Sequence, residues 1–368
     1  MSIFGLIMAT ALAFMLSFVF TPLVRGIALR WKICEKPNGR TSRDIAHIGG
    51  VAIIGAILFT LIPVFLLYLP EDPVNRAFVP ILVASGFLTF FLGIIDDLRS
   101  LHYLYKLFFQ IVVSIYVSAG GLLLLEHVGI TNLSLPVAIV AFCAAAVWML
   151  GITTSFNLID GIDGLSSGLA LIATGAFAVA GHLYGQPIVV ALSLALAGAV
   201  LAFLRYNFPP AKILMGDSGS LFLGLIFGIT SLLLIVPGKD IFYRAAGSII
   251  ILSIPLIDTC LAFFRRLVTN TPVFKADLLH LHHILLYRFK SVVKVDLLLW
   301  GLAIVFGLLG IMTMRGSLLS FLLAVIIQGL LFVLALRNMV RFGLSSETAE
   351  RILQSNGINA ARMLPRQD

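Results

Sequence analysis

Almost any window of about twenty residues in this chain is apolar enough to cross a bilayer. That property restricts the fold more than any motif does. Hydrophobic residues fill 60% of the 368 positions and charged ones only 11%, where a soluble domain of this length carries roughly a quarter charged. The sequence therefore reads as an all-α, polytopic integral membrane protein. Eleven candidate spans fall near residues 3 to 24, 48 to 69, 77 to 95, 104 to 124, 135 to 155, 166 to 184, 187 to 204, 218 to 236, 243 to 263, 296 to 314 and 317 to 336. The first, Ile3 to Leu23, is too long for a signal-peptide core and has neither a basic start nor a small-residue cleavage site, so it is expected to stay as a helix. The organisation that follows is one polytopic domain over 1–340 and a C-terminal tail over 341–368, where Ser346 and Glu350 suggest a capped surface helix. Cys34, Cys143 and Cys260 lie far apart and form no disulfide or zinc pattern.

Basic residues orient the spans. Twenty-one of the 25 Lys and Arg fall in segments on one side, against Arg76, Lys239, Arg244 and Arg315 on the other. The rich side is expected to be cytoplasmic, which with eleven spans puts the N-terminus outside and the C-terminus in the cytoplasm. The net charge of +8 then reflects topology and attraction to anionic lipid and substrate, and calls for no nucleic acid.

Five polar clusters lie at cytoplasmic span ends. GIIDDLRSL ends the third span with Asp96 and Asp97. Adjacent carboxylates beside hydrocarbon repel each other and resist desolvation, which suits a metal site or a proton acceptor; the plain alternative is an interface marker. In SFNLIDGIDGLSSG, Asn157, Asp160 and Asp163 share one face if the segment stays helical, and otherwise form a polar turn with Gly161 and Gly164. KILMGDSGSLFLG puts Asp217 at the start of the eighth span. There it is either an ordinary N-cap alongside Ser218 or, since helix N-termini bind phosphate, the carboxylate through which Mg²⁺ bridges to a diphosphate.

TPVFKADLLHLHHILLYRFK carries His280, His282 and His283 in a long basic loop, a length uncommon without function. HExxH and nearby cysteines are missing, so phosphate contact suits this cluster better than zinc, with lipid headgroups as the plain alternative. WKICEKPNGRTSRDIAHIGGVAI, with Gly49 and Gly50, is open between a site loop and a simple span start. Inside the ninth span, Asp258 either pairs with Arg265 or Arg266 or serves structure.

Carboxylates and an asparagine amide are the hard oxygen ligands that magnesium takes together with phosphates, and lysine, arginine and histidine contact anions. A magnesium site with a basic surround at a membrane interface fits phosphoryl transfer from a soluble diphosphate donor to a lipid phosphate. No Walker loop or dinucleotide fingerprint is present.

DDLRSLHYLYKL, NLIDGIDGL, MGDSGS and HLHH, in this order within residues 3 to 336, resemble the polyprenyl-phosphate N-acetylhexosamine-1-phosphate transferases. The resemblance implies transfer of a sugar 1-phosphate from a UDP-N-acetylhexosamine to undecaprenyl phosphate, with release of UMP, at the cytoplasmic face of a bacterial inner membrane. It implies Mg²⁺, with Mn²⁺ as a substitute. By position, Asp217 resembles the principal metal ligand and Asn157 a second contact. Asp96 would deprotonate or position the lipid phosphate, Asp97 would support the metal site, and Lys106 would hold phosphate. Asp163 resembles the residue facing uracil or ribose, with Asp160 beside it, and His280, His282 and His283 resemble the motif that binds diphosphate and sugar. Glu35 stands where relatives often carry an aspartate.

HLHH is more similar to the branch that uses simple UDP-N-acetylhexosamines, such as UDP-GlcNAc for surface polysaccharide, than to the muramoyl-pentapeptide branch, which stays as the alternative. A secondary transporter would place its acids near mid-span and often show two related halves, whereas these acids collect at span ends. Membrane lipid is an expected partner, and homodimer formation is open.

Overall fold

The computed structural model describes residues 2–35, 44–68, 73–127, 134–235, 240–268 and 280–341. The expected tail helix and the loop positions 36–43 and 269–279 lie outside the described residues. The described chain forms α1 (Ile3–Arg30), α2 (Gly50–Tyr68), α3 (Pro73–Arg99), α4 (Tyr103–His127), α5 (Leu135–Ile159), α6 (Leu165–Leu183), α7 (Pro187–Asn207), α8 (Gly216–Leu234), α9 (Ile241–Ile251), α10 (Ser253–Val268), α11 (Leu281–Phe289), α12 (Val292–Met314) and α13 (Leu318–Arg341). A short antiparallel ladder pairs β1 (Cys34–Glu35) with β2 (Ile45–Ala46).

The all-α polytopic reading holds. Among the described residues nine helices are long and apolar enough to cross a membrane, or ten if α9 and α10 form one span. The second expected span coincides with α2, a 19-residue helix without a charged residue. The ninth is broken, with α9 and α10 meeting at 78°. Pro255 explains the break, because it has no N–H to offer the carbonyl one turn back. The polar groups exposed there find partners inside the bundle, as hydrocarbon requires: Ser253 Oγ donates to the Ile250 carbonyl at 2.6 Å, and Gln328 Nε2 of α13 donates to Ser253 Oγ at 2.6 Å.

At the centre lies α8, with 83% of its span buried, against 17% for α1 and 11% for α5, whose apolar side chains face outward. Gly219, Gly224 and Gly228 keep α8 narrow, and small residues let membrane helices approach closely where no hydrophobic force drives them together. Hydroxyls in the spans bond back to carbonyls four residues earlier, as Thr21, Thr60, Thr153 and Thr230 do, which satisfies them without water. Phe227 of α8 stacks on Phe156 of α5 at 4.8 Å between ring centroids. The ends of α3 and α5 and the starts of α4, α8 and α11 meet, and the polar clusters sit there.

Candidate active site

The start of α8 depends on Gly216. Its φ is +76°, and a Cβ there would fall 2.5 Å from the His47 carbonyl oxygen and 2.8 Å from both Asp97 carboxylate oxygens. Only glycine fits such a position without strain. The free N–H groups of the first turn of α8 are satisfied from α3: Asp97 Oδ1 accepts from Asp217 N at 2.7 Å, and Oδ2 accepts from Ser218 N at 3.1 Å and Ser218 Oγ at 2.7 Å. The cap therefore comes from another helix, not from Asp217 or Ser218, and it places a negative charge on the positive end of α8. Asp217 is left with its carboxylate available to other groups.

Those groups are Lys106 and Asn157. Lys106 Nζ donates to Asp217 Oδ2 at 2.8 Å and pairs with Asp96 Oδ2. The spacing in DDLRSLHYLYK produces this geometry. After α3, Ser100 takes a φ of 47°, Ser100 N donates to the Asp96 carbonyl at 2.8 Å, and Leu101 N donates to Asp96 Oδ1 at 2.7 Å. The chain reverses into α4, whose first turn returns Lys106 to Asp96. Asn157 Nδ2, near the end of α5, donates to Asp217 Oδ1 and to Ser220 Oγ, the latter at 3.1 Å. The Asp96 side chain is only 2% exposed, whereas those of Asp217 and Lys106 are 26% and 22% exposed. Asp217 and Lys106 are open to solvent, and Asp96 lies behind them.

The expected single helical face of Asn157, Asp160 and Asp163 is not formed. Helix α5 ends at Ile159, Asp160 is its C-cap, and Asp163 belongs to the following turn, because the turn glycines outweigh the helical spacing. Asp163 Oδ2 accepts from Ala211 N at 2.9 Å, tying this turn to the segment that precedes α8. Two further residues escaped sequence reasoning. Asn207 accepts from Gly164 N at 3.2 Å and Ser167 Oγ at 2.7 Å and donates to the Ile213 carbonyl at 3.0 Å; a lone amide ending an apolar run was its signal. Asp296, near the start of α12, is fully buried, and neither carboxylate oxygen has a hydrogen-bond partner among the described residues; a single acid opening a span was its signal.

The first loop joins the same assembly. Leu214 N donates to the Ala46 carbonyl at 2.8 Å, and Gly49 N and Gly50 N donate to the carbonyls of Leu214 and Met215 at 2.9 and 2.7 Å. Gly49 and Gly50 thus brace the approach to Asp217. In the histidine segment, His280 precedes α11, His282 is fully buried and His283 is half-buried. His282 packs on the turn after α5, where a Cβ at Gly161 would lie 2.1 Å from His282 Nε2. The described parts of all five polar clusters therefore converge.

Among the described residues no group of three or more His, Cys, Asp or Glu forms a metal cage. Magnesium usually takes one or two carboxylates and leaves the remaining positions to water and substrate phosphates. The Asp217 carboxylate and the Asn157 amide oxygen are oxygen donors of that kind.

A family model described as Glycosyl transferase family 4 matches residues 79–235, a stretch that includes Asp96, Asp97, Lys106, Asn157, Asp160, Asp163 and Asp217. A probable undecaprenyl-phosphate N-acetylglucosaminyl 1-phosphate transferase of Bacillus subtilis is 32% identical over 76% of this chain and 76% of its own length. A decaprenyl-phosphate N-acetylglucosaminephosphotransferase of Mycolicibacterium smegmatis is 30% identical over 80% of this chain and 79% of its own. A phospho-N-acetylmuramoyl-pentapeptide-transferase of Staphylococcus aureus is 26% identical over 82% of this chain and 96% of its own.

Proposed function

We propose a reaction from one premise: this chain belongs to the polyprenyl-phosphate N-acetylhexosamine-1-phosphate transferase family and is a multi-pass membrane enzyme that transfers a sugar phosphate. The reaction is transfer of N-acetylglucosamine 1-phosphate from UDP-GlcNAc to undecaprenyl phosphate, releasing UMP, at the cytoplasmic face of a bacterial inner membrane. It initiates a lipid-linked surface polysaccharide. The observation that carries this reading is the reachable Asp217 carboxylate, held between Lys106 and Asn157 at the ends of apolar helices, where a soluble diphosphate and a lipid phosphate can meet. The names of the Bacillus and Mycolicibacterium relatives, at 32% and 30% identity, favour an acetylglucosamine donor over the muramoyl-pentapeptide donor of the relative at 26%.

An oxygen of the lipid phosphate attacks the sugar-bearing phosphorus of the donor. The bond from that phosphorus to the bridging oxygen breaks, UMP leaves with the oxygen, and the sugar's C1–O bond is untouched. Asp217, and Asn157 through its amide oxygen, would hold Mg²⁺ or a substituting Mn²⁺, which when bound would neutralise diphosphate charge. Lys106 balances phosphate charge, and the buried Asp96 keeps the Lys106 ammonium in place. Asp97 fixes the start of α8, so that Asp217 presents a preorganised charge. Asp160 and Asp163 border the nucleotide side, and His280, His282 and His283 border the donor diphosphate and sugar.

A panel of UDP-sugars offered to the purified protein with undecaprenyl phosphate and Mg²⁺, and scored by UMP release, tests the donor. UDP-GlcNAc is expected to turn over; release from UDP-MurNAc-pentapeptide alone would replace this reading with the peptidoglycan one. A Gly161→Ala variant is expected to displace His282 and lower turnover about 100-fold, the scale on which small misplacements act. Wild-type turnover in that variant would separate the histidine segment from the reaction.

A further inference from the structure

The buried Asp258 of α10 lies outside the Asp217 cluster, and its two carboxylate oxygens have different partners. Oδ2 is 2.8 Å from His280 Nδ1, and Oδ1 accepts from Leu281 N at 2.6 Å and lies 3.6 Å from His282 Nδ1. Asp258 is fully buried and His280 nearly so. The contact to Leu281 N satisfies an N–H in the first turn of α11, so one carboxylate both caps that helix and binds the histidine that precedes it. The His280 ring in turn stacks on His282 at 5.5 Å between centroids, and His282 rests against Gly161 of the turn beside Asn157. A carboxylate that accepts from one imidazole nitrogen fixes the ring's tautomer and leaves the other nitrogen for a ligand.

We propose that Asp258 is a positioning residue for the donor site: it holds His280 as the Nδ1–H tautomer, reserves Nε2 for the nucleotide-sugar, and sets the direction of α11. The inference rests on the reading that the histidine segment contacts the donor. Asp258→Asn separates this role from packing. Asparagine keeps the volume and can still accept from Leu281 N, but its NH₂ group faces Nδ1 and reverses the preferred tautomer.

The experiment compares wild type, D258N, H280A and the D258N/H280A double variant in detergent, measuring the KM for UDP-GlcNAc, the KM for undecaprenyl phosphate, kcat and thermal unfolding. D258N is expected to lose 10–100-fold in kcat/KM for the donor, through a raised donor KM, with the acceptor KM and the unfolding temperature unchanged. The double variant should lose no more than H280A alone, because residues acting through one contact are not additive. Multiplied losses in the double variant, or a D258N that lowers kcat for both substrates and unfolds earlier without moving the donor KM, would assign Asp258 to structure and overturn the proposal. Full activity in H280A would instead overturn the donor reading of the histidine segment, and the positioning role with it.

Discussion

Replacing Asp217 with asparagine is expected to lower sugar-phosphate transfer about 1,000-fold, the upper range for removing one preorganised electrostatic group. Asn157 donates to one Asp217 oxygen and Lys106 to the other, so the carboxylate charge sets how both groups face a substrate. Asparagine preserves the volume, and Lys106 keeps Asp96 as its counter-charge. The cap of α8 uses the Asp217 backbone N–H, not its side chain. The variant should therefore insert, purify and unfold like wild type while UMP release falls. Activity within a few-fold of wild type would show that Asp217 is not at the reacting centre.

The second large effect is expected at Gly216, and by a different route. An alanine there would keep a φ of +76° only under strain, and its Cβ would fall 2.5 Å from the His47 carbonyl and 2.8 Å from the Asp97 carboxylate. The backbone cannot yield without pulling the start of α8 away from its cap. Strain of this kind costs about 1–3 kcal/mol, and loss of a cap adds about 1 kcal/mol. Gly216→Ala should thus both lower the unfolding temperature and cut turnover by 100-fold or more, since Asp217 is displaced with the turn. Unchanged unfolding together with normal turnover would contradict the crowding at this position.

The two variants illustrate what could be read in advance. The spans were legible because a bilayer demands long apolar runs, a local property of the sequence. The gathering of polar clusters on one face was legible from the placement of lysines and arginines. Partnership was not. Asp97 caps a helix through Asp217, 120 residues later, and nothing in DDLRSL distinguishes the acid that caps α8 from the acid that holds Lys106. Helical spacing suggested one face for Asn157, Asp160 and Asp163, but Gly161 and Gly164 end that helix and send Asp163 to Ala211. The ninth span read as one unbroken helix, because Gln328, the residue that makes the bend tolerable, lies 75 residues beyond Ser253. Asp258 had a nearer candidate pair in Arg265 and Arg266, whereas its hydrogen bonds run to His280 and Leu281, 22 and 23 residues further along the sequence.

The central claim is that Asp217, Lys106 and Asn157 form the place where a sugar phosphate passes from nucleotide to lipid. It is tested most directly by identifying the lipid product. Purified wild type and Asp217→Asn, matched for amount, are incubated with UDP-GlcNAc, undecaprenyl phosphate and Mg²⁺, and the lipids are analysed by mass spectrometry alongside released UMP. Wild type should give undecaprenyl diphosphate carrying one N-acetylglucosamine, equimolar with UMP, and the variant should give almost none. Equal product from both proteins, or a lipid product carrying the sugar without a second phosphate, would contradict it.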